Sequence, residues 1–250
     1  ADLDMQQRLL GYLQQVAQDK EARALILTGA GRAFSAGGDR DILKRLAAGT
    51  ETQHDLLGKI HVDTMQCMLG LNIPAIAAVP GPALGYAAGL VAMCDFVVMG
   101  AEGYLGDPHV HYGIAATTAV QLIWPRRASE GLVRDILMTG RRVPAEEAVA
   151  SGLADRLCTA GEELATAMEI AQTFVALPPN GVAQTKRAFN RPLRCDDCRH
   201  RLCPRCCKAG SLRSRWGRRN RGLSRVAVHP RQMHGLSPRR RRRARPDSCS

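Results

Sequence analysis

Near the start of the chain Met5, Leu9, Leu13 and Val16 recur at spacings of three and four, with Gln and Asp between them. That is the period of an amphipathic helix over Leu3 to Ala17. A short apolar run, Ala24 to Thr28, is closed by Gly29-Ala30-Gly31, the pattern of a buried parallel strand ending in a turn. After Gly38-Asp39, the spacing of Ile42, Leu43 and Leu46 turns helical again, so a helix should open there. Pro74 to Val79 reads as a second strand, Pro80-Gly81-Pro82 as a turn, and Leu84 to Met93 as a helix rich in small residues. Phe96 to Met99 makes a third buried strand, Tyr104-Leu105 a short one, and Ile114 to Trp124 a helix halted near Pro125. Later helices are expected after Ser129 and Pro144, where Glu146 and Glu147 suit the positive end of a helix dipole. Strands alternating with helices predict a parallel α/β fold.

The 250 residues, 45% of them apolar, can bury one sizeable core. No stretch approaches the about 20 apolar residues of a membrane helix, and the N-terminus lacks the basic and apolar regions of a secretory signal. The expectation is a cytoplasmic protein without membrane contact. The net charge of +12 would suggest an anionic partner, but it is not evenly spread. Residues 191–250 hold 19 Lys or Arg against 3 acids, a charge of +16 that leaves residues 1–190 at −4. Cysteine divides the same way. Cys67, Cys94 and Cys158 read as small apolar core residues, whereas Cys195, Cys198, Cys203, Cys206, Cys207 and Cys249 crowd the tail.

Several ordered segments together carry a resemblance. They are RALILTGAGRAFSAGGD from Arg23 to Asp39, NIPAIAAVPG from Asn72 to Gly81, MCD from Met93 to Asp95, LMTGRRVPAEE from Leu137 to Glu147, and Gly152-Leu153-Ala154. At these spacings, from Leu3 to Asn190, the chain resembles the crotonase superfamily, the enoyl-CoA hydratase/isomerase family. The resemblance implies a crotonase-like ββα superhelix (the ClpP/crotonase fold) that assembles as a homo-trimer or hexamer and binds an acyl-CoA thioester of fatty acid or related metabolism. It implies no separate cofactor, because coenzyme A enters as part of the substrate. It also implies a strand pair before the first helix, whereas this sequence begins inside the pattern at Ala1-Asp2-Leu3, as a fragment or a gene model begun late would.

Family chemistry passes through a thioester enolate, whose oxygen needs donors fixed in advance. By motif position, these would be the backbone N–H of Gly38 and of Tyr86, while Ala36, Gly37, Gly38, Asp39 and Tyr86 would border bound CoA. The alternative is that Gly37 and Gly38 merely make a tight strand-to-helix turn. Relatives usually carry glycine at the position of Tyr86, whose ring would narrow the acyl pocket. The two hydratase glutamates are both replaced, the first by Gly89 and the second by His109. An imidazole can give and take protons near neutral pH, so His109 is the candidate acid/base; the alternative is a histidine hydrogen-bonded at a turn. Asp107 could orient it, or form a turn with Pro108. His109 and His111 are too few ligands for a metal. Some relatives with a histidine here place Gly-Asp-Gly a few residues later, where this chain has Ala115-Ala116-Thr117-Thr118-Ala119. What remains is one-base proton chemistry at an acyl-CoA α-carbon, such as double-bond isomerisation, or a catalytically inactive fold that binds CoA at most.

After Asn190 hydrophobic periodicity stops. Cys195-Asp196-Asp197-Cys198 and Cys203-Pro204-Arg205-Cys206 are two zinc-type pairs, but only four residues separate them. The run Arg239 to Arg243 could contact nucleic-acid phosphates, with Trp216 as the tail's one aromatic. A GC-rich gene read out of frame would yield the same Arg, Cys, Pro, Gly and Ser excess, and this is the reading we adopt. The expected layout is an acyl-CoA-binding domain over 1–190 and a disordered or out-of-frame tail over 191–250, with no metal and no nucleic-acid partner.

Overall fold

The computed structural model describes residues 2–50, 54–116 and 119–193. The tail's cysteine pairs, Trp216 and the arginine run lie outside the described residues, as do Thr117 and Thr118.

Strands β1 (Leu25–Thr28), β2 (Ala75–Val79), β4 (Phe96–Gly100) and β7 (Arg156–Cys158) form a sheet in the order β1-β2-β4-β7. Every pairing in it is parallel. A second sheet pairs β3 (Pro82–Leu84) with β5 (Tyr104–Gly106) in parallel, and β5 with β6 (Val143–Pro144) antiparallel. An isolated parallel bridge, Ser35 to Ala83, extends it by one position. Each repeat therefore gives a strand to the first sheet, a short strand or bridge to the second, and then a helix. The first is β1, Ser35 and α2 (Arg40–Ala48), and the next is β2, β3 and α4 (Tyr86–Ala92).

Strand β2 is buried at all five positions, which is why it reads as an unbroken apolar run. Alternation sends Ala75, Ala77 and Val79 into the main core, and Ile76 and Ala78 to the opposite face against Ala167 and Ala171 of α8 (Glu163–Val175). Helix α1 (Leu3–Gln18) starts at Asp2, whose side chain accepts from Met5 N, and packs on α3 (His54–Gly70). Helix α9 (Pro179–Asn190) is tied down by Lys186, whose Nζ reaches Asp95 Oδ2 at 2.6 Å and the Ile73 carbonyl at 2.9 Å. Helices α6 (Glu130–Thr139) and α7 (Ala145–Ser151) follow Ser129 and Pro144 as expected.

One helix lies where none is predicted, and two local expectations are corrected. Residues 54–70 form a 17-residue helix that the apolar pattern did not suggest, because Gly58, His61 and Thr64 interrupt it. The segment Leu84 to Met93 divides into strand and helix, with Gly85 between them at φ 57. The helix expected over Ile114 to Trp124 shrinks to α5 (Val120–Ile123), followed by a 3-10 turn over Trp124–Arg126 that takes Pro125. Among the described residues, no helix is long and apolar enough to cross a membrane.

Candidate active site

Parallel pairing in the second sheet brings three chain segments to one edge. Ser35 pairs with Ala83 and Leu84 with Gly106, so the chain leaves these positions side by side. What leaves is Ala36-Gly37-Gly38, Gly85-Tyr86 and Asp107-Pro108-His109, each beyond the carboxyl end of its strand, where open parallel sheets place ligands. Gly38 and Tyr86 hold equivalent places, three residues past the bridged pair. The first segment is tied to the second by Ser35 N to the Pro82 carbonyl, 2.9 Å, and Leu84 N to the Ser35 carbonyl, 3.1 Å. The second is tied to the third by Gly85 N to the Gly106 carbonyl, 2.9 Å.

Glycine is required at two of these places. Gly37 has φ 94, and a methyl group on it would stand 2.8 Å from the Leu84 carbonyl oxygen. At Gly85 the methyl would lie 3.2 Å from Cε1 of His109, so this imidazole packs directly on the backbone before Tyr86. Gly38 precedes the N-cap of α2 and Tyr86 is the first residue of α4. Among the described residues, neither backbone N–H makes a hydrogen bond. Asp39 is exposed and caps α2 through Asp41 N, 2.7 Å, and Ile42 N, 3.3 Å. Those two bonds, the Asp41 one foremost, hold its carboxyl below the usual range. Ala36 is exposed beside it.

His109 lies in a 3-10 turn over Pro108–Tyr112, 8% exposed, with Asp107 fully buried behind it. Asp107 Oδ1 accepts from the His109 backbone N, 3.1 Å, and from its ring Nδ1. With Asp107 ionised, Nδ1 carries the proton and Nε2 is left as the basic atom. Both readings of Asp107 are therefore met, because it caps the turn and grips the imidazole. His111 points elsewhere, its Nε2 bonding the Thr139 carbonyl at 2.7 Å, so the two histidines do not share a ligand position. Among the described residues, no three metal-ligating side chains come together.

The sequence reading missed His61, on the newly found α3. Its ring stacks on that of Tyr86, with centroids 4.7 Å apart and planes 23° apart, and its Nε2 meets Gln6 Oε1 of α1 at 2.9 Å. Burial first, and the nearby His109 second, push its pKa down to about 4, so it is neutral at ordinary pH. Burial also raises the pKa of the Tyr86 phenol. The available signal was polarity on a core face: Leu57, His61, Thr64 and Met68 follow helical spacing. The cleft lined by Phe96, Asp155, Thr166, Glu169 and Phe174 contains none of these residues.

A crotonase-type superhelix whose second sheet brings three turns to one edge is the class that the fold defines, and comparison with known proteins gives the family. The sequence profile "Enoyl-CoA hydratase/isomerase" matches residues 2–202, and the chain belongs to that family. It is 37% identical over 186 residues to a putative enoyl-CoA hydratase of Thermus thermophilus, covering 73% of this chain and 72% of that one. It is 31% identical over 183 residues to the short-chain-enoyl-CoA hydratase of Clostridium acetobutylicum, covering 73% and 69%. An enoyl-CoA hydratase/isomerase structure from Mycobacterium paratuberculosis superposes with a TM-score of 0.72 at 37% identity, covering 77% and 76%. A monofunctional enoyl CoA isomerase from M. smegmatis gives 0.64 at 28%, covering 78% and 83%.

Proposed function

We propose that the protein is an acyl-CoA enzyme that moves a proton at the α-carbon of a thioester, with isomerisation of an enoyl double bond as its favoured reaction. The thioester carbonyl would accept from the N–H of Gly38 and the N–H of Tyr86, which stabilise the enolate oxygen as charge develops. His109 Nε2 would take the α- or γ-proton and return it at the other carbon, while the Asp107 carboxylate stabilises the imidazolium that forms in between. The residues bordering CoA would be Ala36, Gly37, Gly38, Asp39 and Tyr86. A single base suffices for a proton shift, whereas adding water across the double bond calls for a second group, and the chain has Gly89 at that place.

The observation that carries this reading is the buried Asp107–His109 pair against Gly85, one residue from an amide that has no hydrogen-bond partner among the described residues. A homo-trimer or hexamer is proposed on the apolar surface that α8 and α9 leave open, with Met168, Val175 and Phe189 exposed. A CoA binder without turnover is the second reading, favoured by Gly89.

The test is purified protein with a β,γ-unsaturated acyl-CoA. Double-bond migration should appear, and His109→Ala should slow it by about 10²- to 10⁴-fold. Ordinary enzymatic hydration of crotonyl-CoA, unchanged in His109→Ala, would remove the one-base mechanism. Tight CoA-ester binding without turnover would select the second reading.

A further inference from the structure

The 3-10 turn that carries His109 is anchored at its start, where it leaves β5 and Asp107 caps it. Its later backbone bonds close within the turn itself: Gly113 N to the Val110 carbonyl at 3.0 Å, and Ile114 N to the His109 carbonyl at 3.1 Å. Among the described residues, one hydrogen bond ties residues 108–112 to a distant part of the chain. His111 Nε2 donates to the Thr139 carbonyl at 2.7 Å.

Thr139 ends α6, and its carbonyl is among those at a helix C-terminus that have no partner within the helix. An imidazole N–H suits such an acceptor. The receiving end is firm. Thr139 Oγ1 donates to the Asp135 carbonyl at 2.6 Å, and Arg141 joins Asp135 of the same helix, 2.5 Å, to Glu147 of α7, 2.7 Å. Gly140 follows at φ 67, and a methyl group on it would stand 2.7 Å from His111 Nε2 and 2.9 Å from Val110 Cγ1. Two side chains of the turn therefore rest on bare backbone at the end of α6. Ending α6 alone would need only the glycine, whose N–H already bonds the Ile136 carbonyl at 2.9 Å.

We propose that His111 is a positioning residue, which clips the far side of the turn to α6 and so holds His109 Nε2 in place for the α-carbon of the thioester. This rests on the reading of His109 as the base and adds a second hold to that of Asp107. Asp107 fixes the ring and its tautomer, whereas His111 fixes the backbone from which the ring hangs. A base displaced by about 1 Å can lose about 10²-fold in rate, so a turn that is loose for part of the time costs less than that but still measurably.

The experiment measures kcat and KM for double-bond migration in a β,γ-enoyl-CoA with His111→Ala, His111→Asn and His111→Gln. Gln can carry an amide N–H to the place of Nε2, whereas Asn is too short. In the Ala and Asn variants kcat should fall about threefold to tenfold, the worth of one hydrogen bond, with KM within about twofold, and Gln should recover most of the loss. In a His109→Ala background, His111→Ala should change nothing further, because no base is left to place. A merely structural cap would lower Tm without this coupling. An equal fall in both backgrounds, no recovery by Gln, or a kcat within about twofold of wild type in His111→Ala would overturn the proposal. If His109→Ala itself leaves the rate unchanged, or no turnover occurs, the base reading fails and the positioning role falls with it. Amide hydrogen exchange at Ile114, whose N–H bonds the His109 carbonyl, reads the clip without turnover. Exchange should quicken in the Ala and Asn variants and stay near wild type in Gln, and unchanged protection in all three would overturn the clip.

Discussion

Replacing Asp107 by Asn keeps the shape of the site and removes one charge. The wild-type carboxylate is fully buried and its Oδ1 accepts both the backbone and the ring N–H of His109. In the variant both bonds become neutral, each weaker by about 1 kcal/mol. The larger effect comes during reaction, when His109 accepts a proton and the resulting cation has no counter-ion beside it. At about 4 Å and an effective dielectric near 20, that attraction is about 4 kcal/mol, of which part is replaced by the amide dipole. A net loss of about 2 to 4 kcal/mol corresponds to a fall in kcat of roughly 30- to 1000-fold. KM should change little, because the charge exists only after the proton moves. The assay is double-bond migration in a β,γ-enoyl-CoA, run also on His109→Ala and on the double variant. If Asp107 acts through His109, the double variant should be no slower than His109→Ala alone. A kcat within twofold of wild type for Asp107→Asn, in protein of unchanged fold, would refute the reasoning.

Two further outcomes concern stability. Lys186→Met leaves the Asp95 carboxylate with the Ala75 N–H at 2.7 Å and removes the ties from α9 to Asp95 and to the Ile73 carbonyl. The loss should be about 3 kcal/mol, a fall in Tm of roughly 6 to 12 °C, and a fall under about 2 °C would contradict the assigned role. His61 has a folded pKa of about 4 against an ordinary 6.5, so the unfolded chain binds its proton more readily. Its neutral state therefore favours folding fully above pH 6.5, and this contribution is lost progressively as pH falls towards 4. His61→Gln should flatten the decline in Tm between pH 7 and 5, by about 1 to 2 kcal/mol of stability at pH 5. An identical decline in both proteins would show that other groups cause it.

The strands were the legible part of the fold, because a strand buried on both faces writes itself as an apolar run. Ala75 to Val79 and Phe96 to Gly100 are of that kind. Helix α3 was hidden for the opposite reason. Its inward face carries the half-buried His61 and the fully buried Thr64, residues that count as polar in a periodicity yet face α1 and the Tyr86 ring in the fold. The division of Leu84 to Met93 turns on one glycine at positive φ, which sequence spacing cannot distinguish from a glycine merely tolerated in a helix. The candidate site was partly legible: Gly38, Tyr86 and His109 stood out by motif position, and the strand register places their segments side by side. The grip of Asp107 on His109 was one of two readings open from spacing alone. The neighbourhood of Tyr86 was not readable, since it is assembled from residues 6, 61 and 64, far away in the chain.

At the centre of the account is a proton removed from the α-carbon by His109 while two amides hold the thioester oxygen. Deuterium uptake at the α-carbon of butyryl-CoA in D2O, followed by NMR, observes that step without requiring a double bond. Exchange should be rapid with the wild-type protein and about 10²-fold slower or worse with His109→Ala. Exchange that proceeds equally well in His109→Ala, or none above background in wild-type protein that binds the thioester, would contradict it.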